Sequence, residues 1–220
     1  MVPEAALHPA RILVVGGGGR ENALAWALTR SHGVQQVWVA PGNGGTGELP
    51  GCQPLAIAET DADGLMEACR QQRIDLVVVG PEAPLACGLA DQLRAAGLAV
   101  FGPGADGARL EASKRWAKAL MQDAGVPTAG YWWAGSEEEA LRVLAQQGRP
   151  LVVKADGLAA GKGVTVAETL EEARAAIGAI CCGWGGEACG ASVVLEERPH
   201  GPEVSVFGLT DGVRMVLLPA

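Results

Sequence analysis

The chain has 220 residues, 49% of them hydrophobic, which is enough to bury a core in one large or two small domains. Its 32 glycines and 13 prolines, without a fixed period, indicate a globular α/β protein rich in turns and exclude collagen-like or disordered chains. The net charge of −8 excludes a general binder of nucleic acid or anionic membranes, because such binders need extended basic surfaces.

The cysteines and the apolar segments bear on location and metal binding. The six cysteines contain no Cys-x-x-Cys motif, and residues 1–11 lack the basic start and apolar stretch of a secretory signal, so we expect reduced thiols and a cytoplasmic protein. The spacing of Cys181, Cys182 and Cys189 near His200 fits none of the known zinc patterns, so we predict no metal ligand in this chain. No apolar run approaches the ~20 residues needed to cross a bilayer.

The first hundred residues alternate short apolar strands with helices. We predict strands at 11–15, 36–40, 74–79 and 98–101, and helices at 21–31, 63–72 and 85–95. Such βα units form a parallel sheet, and open sheets of this kind bind ligands at the carboxyl ends of their strands. The glycine-rich loops at 16–19, 41–47 and 80–85 should meet there and bind a small anionic substrate, although ordinary turn chemistry explains each loop taken singly.

A dinucleotide site is excluded at this edge. The G-x-G-x-x-G pattern has Glu21 in place of its third glycine, and the second strand runs into Pro41 without the acid that would bind a ribose.

A helix predicted over 106–123 carries a lysine on its apolar stripe. Lys114 shares that stripe with Leu110, Ala117 and Met121. Either an anion compensates its charge, or its methylenes carry the ammonium group out to water.

A second α+β unit follows the turn at 125–127. It is predicted to contain a strand at 129–134, a helix at 136–147 capped by Ser136 and Glu139, a helix at 170–180, and a strand at 192–196. Residues 204–209 and 213–218 should pair as a hairpin across Asp211-Gly212.

The segment 150–166, PLVVKADGLAAGKGVTV, predicts a strand, a glycine loop and a second strand. Peptide N–H groups of such a loop can converge on an anion, because its glycines at 157, 161 and 163 carry no Cβ. Lys154 and Lys162 stand at the ends of the loop. Since the chain has thirteen arginines but four lysines, these two suggest point charges directed at phosphate. A flexible surface hairpin with solvated lysines is the alternative.

A P-loop is excluded by spacing. Three residues separate Gly157 from Gly161, where a P-loop has four, and glycine follows Lys162 in place of Ser or Thr.

These segments, in this order, resemble the glycinamide ribonucleotide synthetase (phosphoribosylamine–glycine ligase) family of ATP-grasp enzymes in purine synthesis. The resemblance runs from about residue 11 onward, and its last motif separates this family from most other ATP-grasp ligases. The matching motifs are VVGGGGRENALAWAL (14–28), VAPGNGGT (39–46), IDLVVVGPEAPLACGL (74–89), VFGP (100–103), LEASKRWAK (110–118) and VVKADGLAAGKGV (152–164).

The resemblance implies a fold and a division of the chain. Residues 1–104 would form a Rossmann-like pre-ATP-grasp domain with a parallel sheet, and 105–128 a connecting helix and linker. Residues 129–191 would form the small lobe of an α+β ATP-grasp domain, and 192–220 the start of its large lobe.

The resemblance also implies a reaction and a set of site residues. ATP, with Mg²⁺ or Mn²⁺, would phosphorylate the glycine carboxylate, and the amine of 5-phosphoribosylamine would attack the glycyl phosphate. Lys154 and Lys162 would be catalytic. The residues implied for ATP are Lys114, Lys154, Gly157, Gly161, Lys162, Gly163, Glu196, Glu197, Pro199 and Glu203. The residues implied for substrate are Gly18, Gly19, Arg20, Glu21, Gly42, Asn43, Gly44, Thr46, Pro81 and Glu82.

Three features depart from the family pattern. Asn22 stands where family members usually have His, and EERPHGPE (196–203) replaces the usual adenine hinge. The family continues for roughly as many residues again, so we expect this chain to be the N-terminal half, inactive alone, with the metal ligands in the other half. The alternatives are another ATP-grasp carboxylate–amine ligase or a nucleotide-binding module without catalysis.

Overall fold

The computed structural model describes residues 8–159, 163–183 and 192–218. The helices are α1 (Gly19–Thr29), α2 (Ala62–Gln72), α3 (Glu82–Ala86), α4 (Leu89–Ala95), α5 (Ala105–Ala112), α6 (Lys114–Asp123), α7 (Glu137–Gln147) and α8 (Leu170–Cys181). The strands are β1 (Arg11–Gly16), β2 (Gln36–Pro41), β3 (Cys52–Pro54), β4 (Leu76–Val79), β5 (Val100–Phe101), β6 (Tyr131–Ala134), β7 (Val152–Ala155), β8 (Val164–Val166), β9 (Val193–Glu196), β10 (Gly208–Thr210) and β11 (Met215–Leu217).

The first sheet is parallel throughout, with strand order β3-β2-β1-β4-β5, as the alternation of strands and helices predicts. After the polar first residues of β1 and β2, the central strands are apolar because both faces are covered: Leu13 and Val15 belong to one core cluster, and Ile12 and Val14 to another. From β1 the chain adds β2 and β3 on one side of the sheet, and it then continues with β4 on the other side of β1. The loops after β1 and β4 therefore flank the crevice where open sheets bind ligands.

Two predicted helices are each divided in the structure. The helix predicted over 85–95 is wrong at its start, because α3 begins at Glu82 and Gly88, with φ +81°, separates it from α4. The helix predicted over 106–123 is also wrong, because Ser113 is extended, ends α5 and caps α6. Its predicted apolar stripe fails with it, since Leu110 is 48% exposed.

The second sheet is antiparallel, with order β6-β9-β7-β8. Helices α7 and α8 contribute Leu144 and Ile177 to the core beneath it, together with Val153 and Leu195 from the strands. The cap predicted for α7 is present: Ser136 Oγ accepts a hydrogen bond from Glu139 N at 3.2 Å. Glu139 reaches back to the N–H of Gly135 rather than to that of Ser136.

The remaining strands are β10 and β11, which form the predicted hairpin, and β3, which was not predicted. The hairpin pairs β10 with β11 across the predicted turn, but both strands are shorter than predicted and 204–207 are not in a strand. Every residue of β10 and β11 is exposed. The short edge strand β3 pairs with β2 and was not predicted, because three residues give no periodic signal. None of the described helices is long and apolar enough to cross a membrane.

Candidate active site

Glu21 organises the loop between β1 and α1. The residue is 4% exposed, and its carboxylate accepts hydrogen bonds from Gly18 N and from Arg20 Nε, each at 2.8 Å. The side chain occupies the space beside Gly16 and Gly80, where a Cβ on either glycine would collide with it. Glu21 was predicted to bind substrate. In the structure both carboxylate oxygens accept hydrogen bonds from the protein, and one of them holds the backbone of Gly18.

Arg20 connects the two loops that flank the crevice. Its Nη1 donates to Glu82 at 2.9 Å and its Nη2 to the Gly80 carbonyl at 2.7 Å. The pKa of Arg20 is raised, most by its hydrogen bond to Glu21 and next by its hydrogen bond to Glu82. The hydrogen bond from Arg20 in turn lowers the pKa of Glu82. The guanidinium therefore stays charged and in place at the switch between β1 and β4.

The loop after β2 is fixed to the loop after β1 through Asn43. Its Nδ2 donates to the carbonyls of Gly17 at 3.1 Å and Gly18 at 3.3 Å. The fully buried Thr46 accepts from Asn43 N at 3.0 Å and donates to Asn22 Oδ1 at 3.1 Å. The hydroxyl of Thr46, predicted to bind substrate, is thus used within the protein, and Asn22 takes part in the same network.

The N-terminus of α6 is joined to the loop after β7. Asp156 Oδ1 accepts from Ser113 Oγ and from Arg115 N, each at 3.3 Å, while Ser113 Oγ accepts from Trp116 N. A carboxylate is favourable at this end of a helix, because it complements the unpaired N–H groups and the helix dipole. This contact sets the glycine loop against α6.

Lys114 also contacts the glycine loop. Its Nζ donates to the carbonyl of Gly157 at 2.8 Å, and Gly157 has φ +115°, which favours glycine. Gly163 closes the other end, where a Cβ would lie 2.5 Å from that of Ala159. The predicted residues Gly161 and Lys162 lie outside the described residues.

A cavity of about 650 Å³ lies between the first sheet and the glycine loop. Its walls combine residues that the sequence assigned separately to substrate and to cofactor. From the first sheet come Arg20, Pro81 and Glu82, and from the other side Lys114, Gly157 and Gly163. Glu59 and Glu111, which were not predicted, also line it. The charged lining is mixed, with the cations Arg20 and Lys114 beside three carboxylates, so an anionic group of a ligand would be attracted locally, at Lys114 and the peptide N–H groups of the glycine loop.

A cluster of two lysines and one carboxylate lies beside the glycine loop but not on the wall of that cavity. Lys154 Nζ is 2.9 Å and Lys118 Nζ 3.1 Å from the same oxygen, Glu196 Oε2. Glu196 was predicted in the adenine hinge. Its side chain is 8% exposed and pairs with the lysines, so only its backbone could contact an adenine base.

The other residues predicted for the adenine hinge do not line the cavity of about 650 Å³. Glu197 pairs with Arg149, and its N–H donates to the Gly130 carbonyl at 2.8 Å. Pro199 lines a separate shallow cavity with residues 127–130, and Glu203 is exposed.

Sequence reasoning missed Lys118 and Asp156. Lys118 lies one helical turn after Lys114, which was a usable signal, and Asp156 follows Lys154 by two residues in the predicted loop. Among the residues that the structure describes, no group of three or more His, Cys, Asp or Glu side chains could hold a metal ion. We therefore assign no magnesium ligand.

Comparison with known proteins gives a consistent result over nearly the whole chain. The family model "Phosphoribosylglycinamide synthetase, N domain" matches residues 10–111, and "Phosphoribosylglycinamide synthetase, ATP-grasp (A) domain" matches 112–220. A phosphoribosylamine–glycine ligase of Nostoc sp. is 54% identical over 96% of this chain and 49% of its own length. The ligase of Allochromatium vinosum is 50% identical over 92% of this chain and 47% of its own length.

A solved structure of the same family has a similar fold. A crystal structure of phosphoribosylamine–glycine ligase from Thermotoga maritima superimposes with a TM-score of 0.74 at 31% identity, over 95% of this chain and 49% of that one. The chain spans about half the length of the curated relatives it matches.

Proposed function

Because the chain belongs to the phosphoribosylglycinamide synthetase family, we propose that it binds ATP and acts in the joining of glycine to 5-phosphoribosylamine. The observation that carries the proposal is the cavity of about 650 Å³, where Arg20 and the loop after β4 face Lys114 and the glycine loop. Lys154 lies beside the glycine loop, outside the wall of this cavity. We keep the division of the chain at 104, 128 and 191 as part of this proposal, along with a cytoplasmic location.

Lys114 and Lys154 are the residues we assign to the triphosphate. An ammonium group has three N–H donors. Within the described part of the chain, Lys114 donates to Gly157 O and Lys154 to Glu196, which leaves both with donors for phosphate oxygens. Lys162 and the glycines at 157, 161 and 163 would complete the phosphate site by prediction.

The opposite wall is assigned to the acceptor. Gly18 and Gly19 begin α1, whose unpaired N–H groups suit an anion such as a sugar phosphate. Arg20 and Glu82 stand beside them, and the loop 42–46 completes the rim. In this assignment Glu21 and Thr46 hold the rim in position, because their polar atoms already bind within the protein.

The proposed reaction has two steps. A carboxylate oxygen of glycine attacks the γ-phosphorus of ATP and ADP leaves, giving glycyl phosphate. The amine then attacks the glycyl carbon, and phosphate and a proton leave as the amide forms. Phosphoryl transfer needs positioning and charge neutralisation rather than a protein nucleophile, and this chain contributes its lysines and loop N–H groups to that end. No step is assigned to a metal held by the described residues.

Calorimetry with ATP tests the nucleotide assignment. We expect the wild-type chain to bind ATP and Lys114→Met to bind it about tenfold more weakly, because one charge next to a phosphate is removed. The matched control is Arg142→Met, since Arg142 lies on α7 and pairs only with the exposed Glu138 among the described residues. A wild-type chain that binds no ATP, or equal affinity of Lys114→Met and wild type, would overturn the assignment.

ADP formation tests the reaction, measured on a chain extended to the full length of its relatives because we expect the present chain to be inactive alone. Release of ADP that depends on both glycine and 5-phosphoribosylamine supports the proposed reaction. Release with a different carboxylate and amine assigns the chain to another ATP-grasp ligase. ATP binding without any ADP release limits the function of this chain to holding the nucleotide.

A further inference from the structure

We propose that Lys118 is a positioning residue that sets the charge of the triphosphate site by sharing the carboxylate of Glu196 with Lys154. This inference rests on the proposed ATP binding and names a residue that the assignment above does not use. Lys118 would not touch the nucleotide. It would instead keep Glu196 from neutralising Lys154.

The surroundings of Lys118 show that its ammonium group is already satisfied. The residue is 8% exposed, and its Nζ lies 2.7 Å from Thr128 Oγ1, 3.1 Å from Glu196 Oε2 and 3.4 Å from the Ala129 carbonyl. Three acceptors match the three donors of an ammonium group. No donor of Lys118 remains for a phosphate oxygen.

Lys154 differs from Lys118 in its exposure and in the number of acceptors around its ammonium group. Its side chain is 26% exposed, and its one ion-pair partner in the described part of the chain is Glu196, at 2.9 Å. It also lies three residues before Gly157, in the strand that leads into the glycine loop. Lys154 therefore has donors and access, whereas Lys118 has neither.

The charges of the cluster explain why a second lysine is useful. Two ammonium groups and one carboxylate leave a net positive charge at this face of the sheet. If Lys118 were neutral, Lys154 and Glu196 would form a closed pair with no net charge. Because the carboxylate is buried, such a pair would be only weakly screened by water, and Lys154 would lose most of its attraction for an anion.

The test compares charge variants by calorimetry with three probes: ATP, inorganic tripolyphosphate and adenosine. Lys118→Met removes the charge while keeping the length of the side chain. We expect it to weaken ATP and tripolyphosphate binding about tenfold. Adenosine affinity should not change, because adenosine carries no phosphate. Arg115→Met is the matched control, since Arg115 is an exposed cation of the same helix whose side chain stacks on Trp133.

A double variant separates charge from folding. Lys118→Met combined with Glu196→Gln leaves Lys154 as the single charge, so the net charge of the cluster returns to its original value. We expect tripolyphosphate affinity to recover to within about threefold of wild type. A purely structural role for Lys118 predicts no recovery, because the double variant removes still more of the buried contacts.

The outcomes distinguish the two proposals. Wild type that binds neither ATP nor tripolyphosphate overturns both the proposed function and this inference. Wild type that binds both, with Lys118→Met binding them equally well, overturns this inference alone. Failure of the double variant to recover, with thermal unfolding showing that it is folded, also overturns it.

Discussion

Replacement of Glu21 by Gln tests whether a buried carboxylate holds the loop at the rim of the first sheet. The wild-type carboxylate uses both oxygens, one for Gly18 N and one for Arg20 Nε, each at 2.8 Å. A glutamine has the same shape but only one oxygen. Its NH₂ group must therefore face one of these two donors.

The size of the effect follows from that mismatch. Hydrogen bonds to a charged group contribute about 1.5–3 kcal/mol. Gly18 and Arg20 are both exposed, so water can pair with the donor that loses its oxygen, and the lower part of this range applies. We therefore expect Glu21→Gln to lower the free energy of unfolding by about 1.5–2 kcal/mol. For a chain of this length, that corresponds to a fall in Tm of roughly 3–8 °C.

Glu82→Gln is the control, because Glu82 pairs with the same arginine but its side chain is 46% exposed. An exposed ion pair contributes about 1 kcal/mol or less. Urea unfolding followed by tryptophan fluorescence suits the comparison, since Trp38 is buried in this sheet. If Glu21→Gln costs no more than Glu82→Gln, burial of the carboxylate does not stabilise the loop and the reasoning is refuted.

Three further predictions concern packing, hydrogen bonding and pH. Gly163→Ala would place a Cβ 2.5 Å from that of Ala159, so it should cost about 1–3 kcal/mol in thermal unfolding and weaken ATP binding; unchanged values would contradict this packing. Thr46→Val should cost about 1–3 kcal/mol, because it leaves the Asn43 N–H without its acceptor, and Thr46→Ser should restore most of that loss. Burial raises the pKa of Cys69 to about 11, so at pH 8 iodoacetamide should modify the exposed Cys87 and spare Cys69. An unfolded thiol ionises near pH 8.5, below the folded value, so the Cys69 contribution to stability should be present at neutral pH and fall between about pH 9 and 11, whereas Cys69→Ala should lack this fall.

The sequence predicted the parts of the fold whose signals repeat along the chain. The buried strands β1, β2 and β4 are largely continuous apolar runs, and helices separate them, so their parallel arrangement follows from chain order. Of these helices α2 has a clear apolar periodicity, whereas α1 buries only Glu21 and Ala25 and was indicated by its composition after the glycines. The divided helices could not be predicted from periodicity. Gly88 and Ser113 interrupt an otherwise helical composition, and only the conformation of each residue shows whether the helix continues.

The residue types of the candidate site could be read from the sequence, whereas their contacts could not. Arg20, Glu82, Lys114 and Gly157 line one cavity, but Lys154, predicted to bind the triphosphate together with Lys114, does not line it. Which polar groups remain available to a ligand could not be predicted, because that depends on distances between segments far apart in sequence. Glu21 shows the difference, since its carboxylate binds the protein itself.

Lysine is scarce in this chain, and its scarcity bears on Lys118 as well as on Lys154 and Lys162. The chain has thirteen arginines, so a lysine at a buried position implies that the compact ammonium group is needed there. Two ammonium groups can approach a single carboxylate oxygen, as Lys118 and Lys154 approach Glu196 Oε2 at 3.1 and 2.9 Å. A planar guanidinium would instead tend to engage both oxygens of that carboxylate and displace one lysine. Applied to every lysine in the sequence, the same reasoning would have selected Lys118 together with Lys114 and Lys154.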